Sequence, residues 1–356
     1  MTTGPRSRPD SPLDTEGVLA TAGAPSGGEE IGRSREGRPL LGHRFGTGAL
    51  AVSAIGGCHA DEPVGPEMLE RLAAYLAGLG PEHPLLERFR WLLVPHANPD
   101  GREVNRPWAE DRLPVSDSRG EGDEGFRLER HVLEAERELP GNDVEFGFPR
   151  SADDLEARPE NRAVASFLAE GAPLALHLSF HGMSFGHGPW FLLEPLWVER
   201  TRGLRAALAE HTRELGYALH EVDRGGEKGF WRIDRGFTTR PDSRAMRDYF
   251  LSRDDPETAA RFRPSSMEHA RSLGGDPLTA VSEMPLFFLP QEGPLADPAL
   301  PRPDRIERVR TAAREHGDRT AERLGVRPMA VRDQMRLQLA LLDEGLRTAE
   351  RYAAPE

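Results

Sequence analysis

The stretch ALAVSAIGGCHADEPVGPEMLERLAAYLAGLG, residues 49–80, carries the pattern that decides the fold. Its first seven residues form an apolar run that ends at two glycines, which predicts a buried strand. From residue 65 onward, Met68, Leu69 and Leu72 recur at helical spacing as far as Gly80, which predicts a helix. A turn with several polar residues joins the two elements.

Composition narrows the classes of protein. The formal net charge of −13 over 356 residues argues against general affinity for nucleic acid or an anionic membrane surface. Cys58 is the single cysteine, so a metal would have to be held by His, Asp or Glu. No stretch approaches the roughly 20 apolar residues of a membrane span, and no signal-peptide core is seen. We therefore expect a cytoplasmic protein without a nucleic-acid or membrane partner.

Strands and helices alternate along the chain. Further strands are predicted at 89–94, running into an Asn-Pro-Asp-Gly turn, and at 173–182, 189–195 and 276–288, with a helix at 158–171. This order predicts an α/β fold: a mixed, mostly parallel twisted sheet with helices on both faces. Such sheets gather their chemistry at the carboxyl ends of the strands. The polar residues at or near predicted strand ends are His59, Asn98, His181 and Glu283.

The chain divides into three predicted parts. Residues 1–28 are rich in Pro, Ser and Gly and are expected to be a mobile leader. Residues 29–300 would form the domain that carries the site, with a charged surface insertion at 109–145 that contains a helix around 126–138. Residues 301–356 hold two helical patterns and would form an extension, either a cap or a contact between copies in a homo-oligomer.

The turn after the first strand places His59 three residues before Glu62. An imidazole nitrogen and a carboxylate oxygen suit Zn²⁺, and a catalytic zinc has three protein ligands and one open position. The alternative is a polar turn in which Glu62 caps the next helix. The pair taken alone favours this alternative, because such spacings are common by chance.

Five stretches in a fixed order change that balance: IGRSREGRPL, GGCHADEP, NPDG, SFHG and VSEMP. Over roughly residues 31–290 the series resembles the zinc carboxypeptidase family, in particular its bacterial metallocarboxypeptidase-like branch. The resemblance implies one Zn²⁺ held by His59, Glu62 and His181. His177, on the same face of the same strand, is the rival third ligand, although we expect it to be a buried structural histidine.

The resemblance also implies the residues that act on the substrate. Glu283 matches the general base, which takes a proton from the zinc-bound water and passes it to the leaving amine. A glutamate within an apolar strand is costly to bury, which supports a functional role. Arg106 is the candidate for stabilising the oxyanion, with Arg102 and Arg112 as alternatives. A solvated surface arginine is the competing interpretation for each of them.

The pattern breaks where the family binds the substrate's terminal carboxylate with an Asn-Arg pair. In NDVEFGFP, residues 142–149, Glu145 and Phe146 stand at these positions. Losing the arginine removes the bidentate receptor of a carboxylate. Another arginine could take over, and the candidates form a cluster of Arg232, Arg235, Arg240, Arg244 and Arg247. The alternative is that these arginines form surface salt bridges with nearby Asp residues. The residues predicted to bind the substrate are Asn98, Arg240 and Arg244.

The implied function is zinc-dependent hydrolysis of peptide or amide bonds, with a peptide or an N-acyl amino acid as substrate. A deacylase of N-acyl amino acids, as in the desuccinylase and aspartoacylase branch, is the enzymatic alternative. A non-catalytic binding protein on the same fold is a further one. Within the turn, the Cys58 side chain is expected to point away into the core, and Asp61 to lie behind the ligands or face solvent. His187 is expected either to line the pocket or to be a plain loop residue.

Overall fold

The computed structural model describes residues 12–21, 28–110, 113, 125–221, 223–297 and 300–353, apart from the side chain at position 302. The described strands are β1 Glu29–Arg33, β2 Pro39–Phe45, β3 Leu50–Gly56, β4 Phe89–Val94, β5 Leu174–Gly186, β6 Trp190–Leu193, β7 Arg232–Asp234, β8 Phe237–Thr239, β9 Leu278–Phe288 and β10 Arg327–Pro328. The described α-helices are α1 Thr15–Ala20, α2 Val64–Ala77, α3 Pro84–Arg88, α4 Pro99–Ala109, α5 Leu128–Glu134, α6 Pro159–Ala169, α7 Arg202–Glu214, α8 Ser243–Leu251, α9 Pro256–Arg261, α10 Ser266–Ser272, α11 Arg302–His316, α12 Thr320–Leu324 and α13 Val331–Ala353.

These strands form one mixed sheet in the order β1-β2-β4-β3-β5-β9-β6-β8-β7, and β10 pairs with β9. The four central strands β4, β3, β5 and β9 are parallel to one another. The outer strands β1, β2, β6 and β7 introduce antiparallel pairs. The predicted mixed sheet with a parallel centre is confirmed.

Helices cover both faces of this sheet, as predicted. Helices α2, α7 and α13 pack together on one face, and α6 and α10 lie on the other. The two apolar clusters follow this division, since Leu176 and Leu178 of β5 belong to the larger and Val164 and Phe167 of α6 to the smaller. Among the described residues, no helix combines the length and the apolar character that a membrane crossing requires.

The amino-terminal segment is not a leader along its whole described length. Leu13, Val18 and Leu19 are buried in the larger cluster, and α1 contacts both α2 and α13. The Leu13 amide donates to Asp343 at 3.2 Å, and Arg71 donates to the Leu19 carbonyl at 2.8 Å. Three apolar side chains are enough to dock this short helix. The rest of the predicted leader, residues 1–11 and 22–27, lies outside the described residues.

Two further sequence expectations need correction. The Asn-Pro-Asp-Gly stretch is not a free turn but the start of α4, where the Asn98 side chain accepts from the Gly101 amide at 3.0 Å and caps the helix. The described part of the 109–145 insertion is not a surface excursion, because Phe126, Leu128 and Val132 are buried. The predicted helix is shorter than expected and ends at Glu134.

The last helix is part of the core. Helix α13 contacts β5 and β9 and buries Leu337, Leu341 and Leu342 completely. Its approach to the sheet is close, since a Cβ added at Gly345 would lie 3.2 Å from the Leu176 side chain. The apolar face of this helix is therefore used within the chain. The contact between copies in a homo-oligomer stays a prediction, and such a contact would have to use another surface.

Candidate metal centre

Three predicted ligands meet at the carboxyl end of β3, beside the neighbouring parallel strand β5. His59 Nδ1 lies 2.9 Å from Glu62 Oε1, and His181 Nδ1 lies 2.9 Å from Glu62 Oε2. The two Nδ1 atoms are 3.0 Å apart. Glu62 and His181 are buried, whereas the His59 side chain is 14% exposed. The group thus has one member that faces the surface.

The backbone explains this convergence. Strand β3 ends at Gly56, and Gly57 follows with φ of +68°, a conformation that residues with a Cβ rarely adopt. The chain then turns so that the Glu62 amide donates to the His59 carbonyl at 3.3 Å. His181 lies on β5, the parallel neighbour of β3. Strand β5 runs on to Gly186, so His181 lies within the strand and not at its end as predicted. It lies next to the turn because Gly56, the last residue of β3, pairs with Phe180.

The donor set fits zinc. Ligand atoms placed tetrahedrally at about 2.0–2.1 Å from zinc are about 3.3 Å apart, a few tenths of an ångström more than the separations seen here. Two imidazole nitrogens and a carboxylate are a common set for catalytic zinc. Burial opposes ionisation of Glu62, but the charges of His59, Arg137 and His181 hold its pKa well below the usual range. A negatively charged carboxylate is the form that binds a cation.

A second group shares His181. Cys58 Sγ, a Glu145 carboxylate oxygen and a His181 ring nitrogen lie within 4.8 Å of one another. The Cys58 side chain is buried in the smaller apolar cluster, as expected, although its Sγ also lies within 4.8 Å of the His181 ring. All three members of this group are buried. The His59 group suits a catalytic metal better, because a substrate must reach the open position.

Glu145 contacts the outer nitrogen of His181. Its Oε2 lies 3.1 Å from His181 Nε2, and Ser179 Oγ lies 2.7 Å from the same nitrogen. Burial works against a charged His181, but Glu145 and Glu62 together raise its pKa well above the usual value. Phe146, at the position where the family has arginine, is buried against Phe262 with ring centroids 5.4 Å apart. The loop at 142–149 therefore contacts His181 through Glu145 and Phe262 through Phe146.

Arg137 is the site residue that the sequence did not single out. Its Nη1 donates to Asp61 Oδ1 at 2.9 Å and to Glu62 Oε1 at 2.7 Å. The Asn105 side chain positions it by accepting from the Glu136 amide and donating to the Glu136 carbonyl, each at 2.9 Å. Asp61 is buried by this contact and does not face solvent. The one hint in the sequence was an arginine within the predicted insertion helix.

Glu283 lies beside this group on β9. It is the register partner of His181 on β5 and of Trp190 on β6. Directly paired residues point to the same face of a sheet, so the three side chains form a row across it. Burial raises the pKa of Glu283 to about 7, and the neighbouring Glu62 carboxylate adds to the shift.

Two predicted residues border the group without joining it. Asn98 donates to Glu138 Oε1 at 2.5 Å, and Arg106 pairs with Glu103 of its own helix at 2.9 Å. Both line a cavity of about 480 Å³ that also borders His59 and Glu62. The oxyanion role of Arg106 stays a prediction. Of its alternatives, Arg102 lies 3.7 Å from Glu70, and residue 112 is outside the described residues.

The structure does not bring the other predicted substrate-binding arginines to the group. Arg240 is buried and pairs with Glu194 at 2.6 Å, so its charge is already neutralised. Arg244 is 83% exposed and lies 3.8 Å from Asp248, one turn along α8.

Nor does the structure bring the rival histidine to the group. The His177 Nδ1 atom contacts Ser53 Oγ at 2.8 Å in the core, and burial lowers its pKa to about 3. The structure therefore gathers His181 rather than His177 with His59 and Glu62, the other two predicted ligands.

The chain is similar to known proteins in sequence and in fold. Carboxypeptidase A from Helicoverpa armigera is 16% identical, and the alignment covers 91% of this chain and 68% of that chain with a TM-score of 0.45. Bovine thrombin-activatable fibrinolysis inhibitor, in complex with a tick carboxypeptidase inhibitor, is 14% identical over 92% of this chain and 90% of that chain, with a TM-score of 0.48. A metallo-carboxypeptidase from Burkholderia cenocepacia is 16% identical over 94% of this chain and 67% of that chain, with a TM-score of 0.45. A family model described as zinc carboxypeptidase matches residues 28–187, which include His59, Glu62 and His181. This match confirms the resemblance to the zinc carboxypeptidase family that was drawn from the motifs.

Proposed function

We propose that this chain is a zinc-dependent hydrolase of peptide or amide bonds. The observation that carries the proposal is the convergence of His59, Glu62 and His181, whose facing atoms are 2.9–3.0 Å apart beside Glu283. The family match supports the same chemistry. Zinc held by these three residues would polarise the scissile carbonyl and lower the pKa of a water molecule.

Glu283 is the proposed general base. Its pKa of about 7 lets the carboxylate accept a proton and release it near neutral pH, which is the condition for efficient proton transfer. It would take a proton from the attacking water and deliver it to the leaving nitrogen. Glu283 lies between His181 and Trp190 in the sheet, because it is paired with one residue on each neighbouring strand.

Arg137 is proposed to stabilise the negative charge that develops on the carbonyl oxygen. Its side chain is 27% exposed, and Nη1 makes its hydrogen bonds to both Asp61 and Glu62. A guanidinium has five N–H donors, so others remain for a substrate oxygen. Positive charge in a partly desolvated site is worth more than in water.

A deacylase of N-acyl amino acids is the second candidate. It would use a different anion pocket, and at the positions of the Asn-Arg pair the glutamate contacts His181 and the phenylalanine packs on Phe262. Neither residue offers a receptor for a peptide's terminal carboxylate. The two candidate functions share the proposed zinc ligands and general base, and they differ in the residues that would bind the rest of the substrate.

A substrate screen with variants tests the proposal. Purified protein is analysed for zinc by mass spectrometry and assayed on peptides, γ-glutamyl peptides and N-acyl amino acids. We expect one zinc per chain and at least one substrate class hydrolysed. His59→Ala should lose the zinc, whereas His316→Ala, at the end of α11, should keep it.

Glu283→Gln should keep the zinc and lose about 10²–10⁴-fold in rate. Full activity of this variant would contradict the assignment of the base. Absence of zinc together with activity unaffected by His59→Ala would contradict the whole proposal.

A further inference from the structure

Arg224 lies over the aromatic residues next to the proposed base. Its guanidinium carbon is 5.0 Å from the ring centroid of Trp190 and 4.6 Å from that of Phe230. Trp190 is the register partner of Glu283 on the neighbouring strand, with its side chain on the same face of the sheet. The order across the sheet is thus His181, Glu283 and Trp190, with the Arg224 charge at the far end of the row from the ligands.

Several polar groups at this end have no partner among the residues that the structure describes. No hydrogen bond or ion pair there engages the Arg224 guanidinium, whose contacts are the two rings. Trp190 Nε1 and His220 Nδ1 are buried and likewise unpaired within that part of the chain. The His220 ring stacks on Trp190 with centroids 5.3 Å apart. Buried donors without partners are costly, so this cluster is suited to receive a ligand.

Two arginines of the same segment are already paired with glutamates. Arg240 pairs with Glu194 at 2.6 Å, and Arg235 pairs with Glu221 at 3.0 Å. Arg224 differs because stacking on rings leaves the N–H donors in the plane of the guanidinium, where a carboxylate can accept two of them.

We propose that Arg224, with Trp190 Nε1 and the His220 ring, forms the receptor for a carboxylate of the substrate beside Glu283. This inference rests on the proposed function and names its specificity-determining residue. The receptor would replace the arginine that the family has at the position of Phe146. A carboxylate bound there would hold the substrate against the row of side chains that ends at the ligands.

Three matched probes separate the two sources of such a carboxylate. N-acetyl-L-glutamine has a free α-carboxylate, N-acetyl-L-isoglutamine has a free γ-carboxylate, and N-acetyl-L-glutaminamide has neither. Binding of each to the full-length zinc-loaded protein is measured by calorimetry, and released acetate is assayed in the same solutions. We expect at least one carboxylate probe to bind, and the neutral diamide to bind on the order of tenfold to a hundredfold more weakly.

Variants assign the binding to the receptor. Arg224→Gln should weaken the carboxylate probe to the level of the diamide, whereas Arg202→Gln, an exposed arginine paired with Glu199, should bind as the unmodified protein does. Trp190→Phe keeps a ring under the guanidinium and removes the indole donor, so its binding should weaken several-fold. Circular dichroism confirms that each variant is folded.

Equal affinity for all three probes, no binding of any of them, or full affinity in Arg224→Gln would overturn the inference. Preference for the α- or the γ-carboxylate identifies which group the receptor takes, and either supports it. Carboxylate-dependent binding without hydrolysis of any substrate would count against the proposed activity alone.

Discussion

The contact between Glu145 and His181 predicts that Glu145→Gln weakens zinc binding while leaving the fold intact. The carboxylate is buried, lies 3.1 Å from His181 Nε2 and is matched in shape by glutamine. If His181 binds zinc through Nδ1, its Nε2–H donates to this carboxylate, which orients the ring and makes the ligand nitrogen more basic. The substitution removes the charge and keeps the volume.

The expected loss of zinc affinity follows from replacing the charged acceptor of one hydrogen bond with a neutral one. A bond to a charged group contributes about 1.5–3 kcal/mol and a neutral one about 0.5–1.5 kcal/mol, so the difference is about 1–1.5 kcal/mol. That corresponds to about tenfold in a binding constant, at the lower end of the range of 10–100-fold known for such outer contacts. Ser179 Oγ, 2.7 Å from the same nitrogen, limits the effect by offering a second acceptor.

The assay is competition for zinc with a chromophoric chelator at mildly alkaline pH, because protons compete with the metal for imidazole. Glu160→Gln is the matched control, since Glu160 is fully buried but bonds to Arg158 instead. Cys58→Ala tests the second group of candidate ligands and should leave the zinc affinity unchanged. Unchanged affinity in folded Glu145→Gln, or an equal loss in Glu160→Gln, would refute the reasoning.

Two predictions concern stability. Gly65→Ala should lower the midpoint of thermal unfolding, because the added Cβ would lie 2.5 Å from the Phe180 carbonyl oxygen. The control Gly80→Ala should leave the midpoint unchanged, because no atom lies within 4 Å of its added Cβ. Equal midpoints for the two variants would contradict the close approach of α2 to β5. Burial opposes ionisation of Glu16, but Arg336 and Arg332 together lower the pKa of Glu16 below its ordinary value of 4.5. The resulting stability is present above the ordinary carboxyl pKa and lost as pH falls through the lowered value. Urea unfolding of Glu16→Gln should therefore show a deficit at neutral pH that disappears in acid; a deficit constant with pH would exclude this ion pair as its cause.

The centre of the fold was predictable because its patterns are local. The apolar run at 49–55, the helical repeat after residue 65 and the late strand at 276–288 each show a period or a boundary within a dozen residues. Once β3 and β5 are parallel neighbours, His59 and His181 lie near each other, because β3 ends at the level of Phe180, the residue before His181. Local pattern and sheet geometry together account for the ligand group.

Residues that depend on distant contacts could not be predicted in this way. Arg137 reaches Glu62 because Asn105 holds the backbone beside it, and no short pattern encodes that hydrogen-bond pair. Helix α1 docks through Leu13 to Asp343, which is 330 residues away. Composition predicted a mobile leader here because a few buried leucines do not change the average of a segment rich in Pro and Gly.

The loop at 142–149 connects the metal group with substrate recognition. Its glutamate contacts a proposed ligand, and Phe146 packs on Phe262, which in turn stacks on Phe250 with centroids 5.4 Å apart. An arginine at 146 would bury an unpaired charge among these rings, which is costly. This loop therefore cannot regain the family's carboxylate receptor by one substitution. The proposed receptor for a substrate carboxylate therefore lies elsewhere along the row of side chains, at Arg224, whose guanidinium stacks on the Trp190 and Phe230 rings.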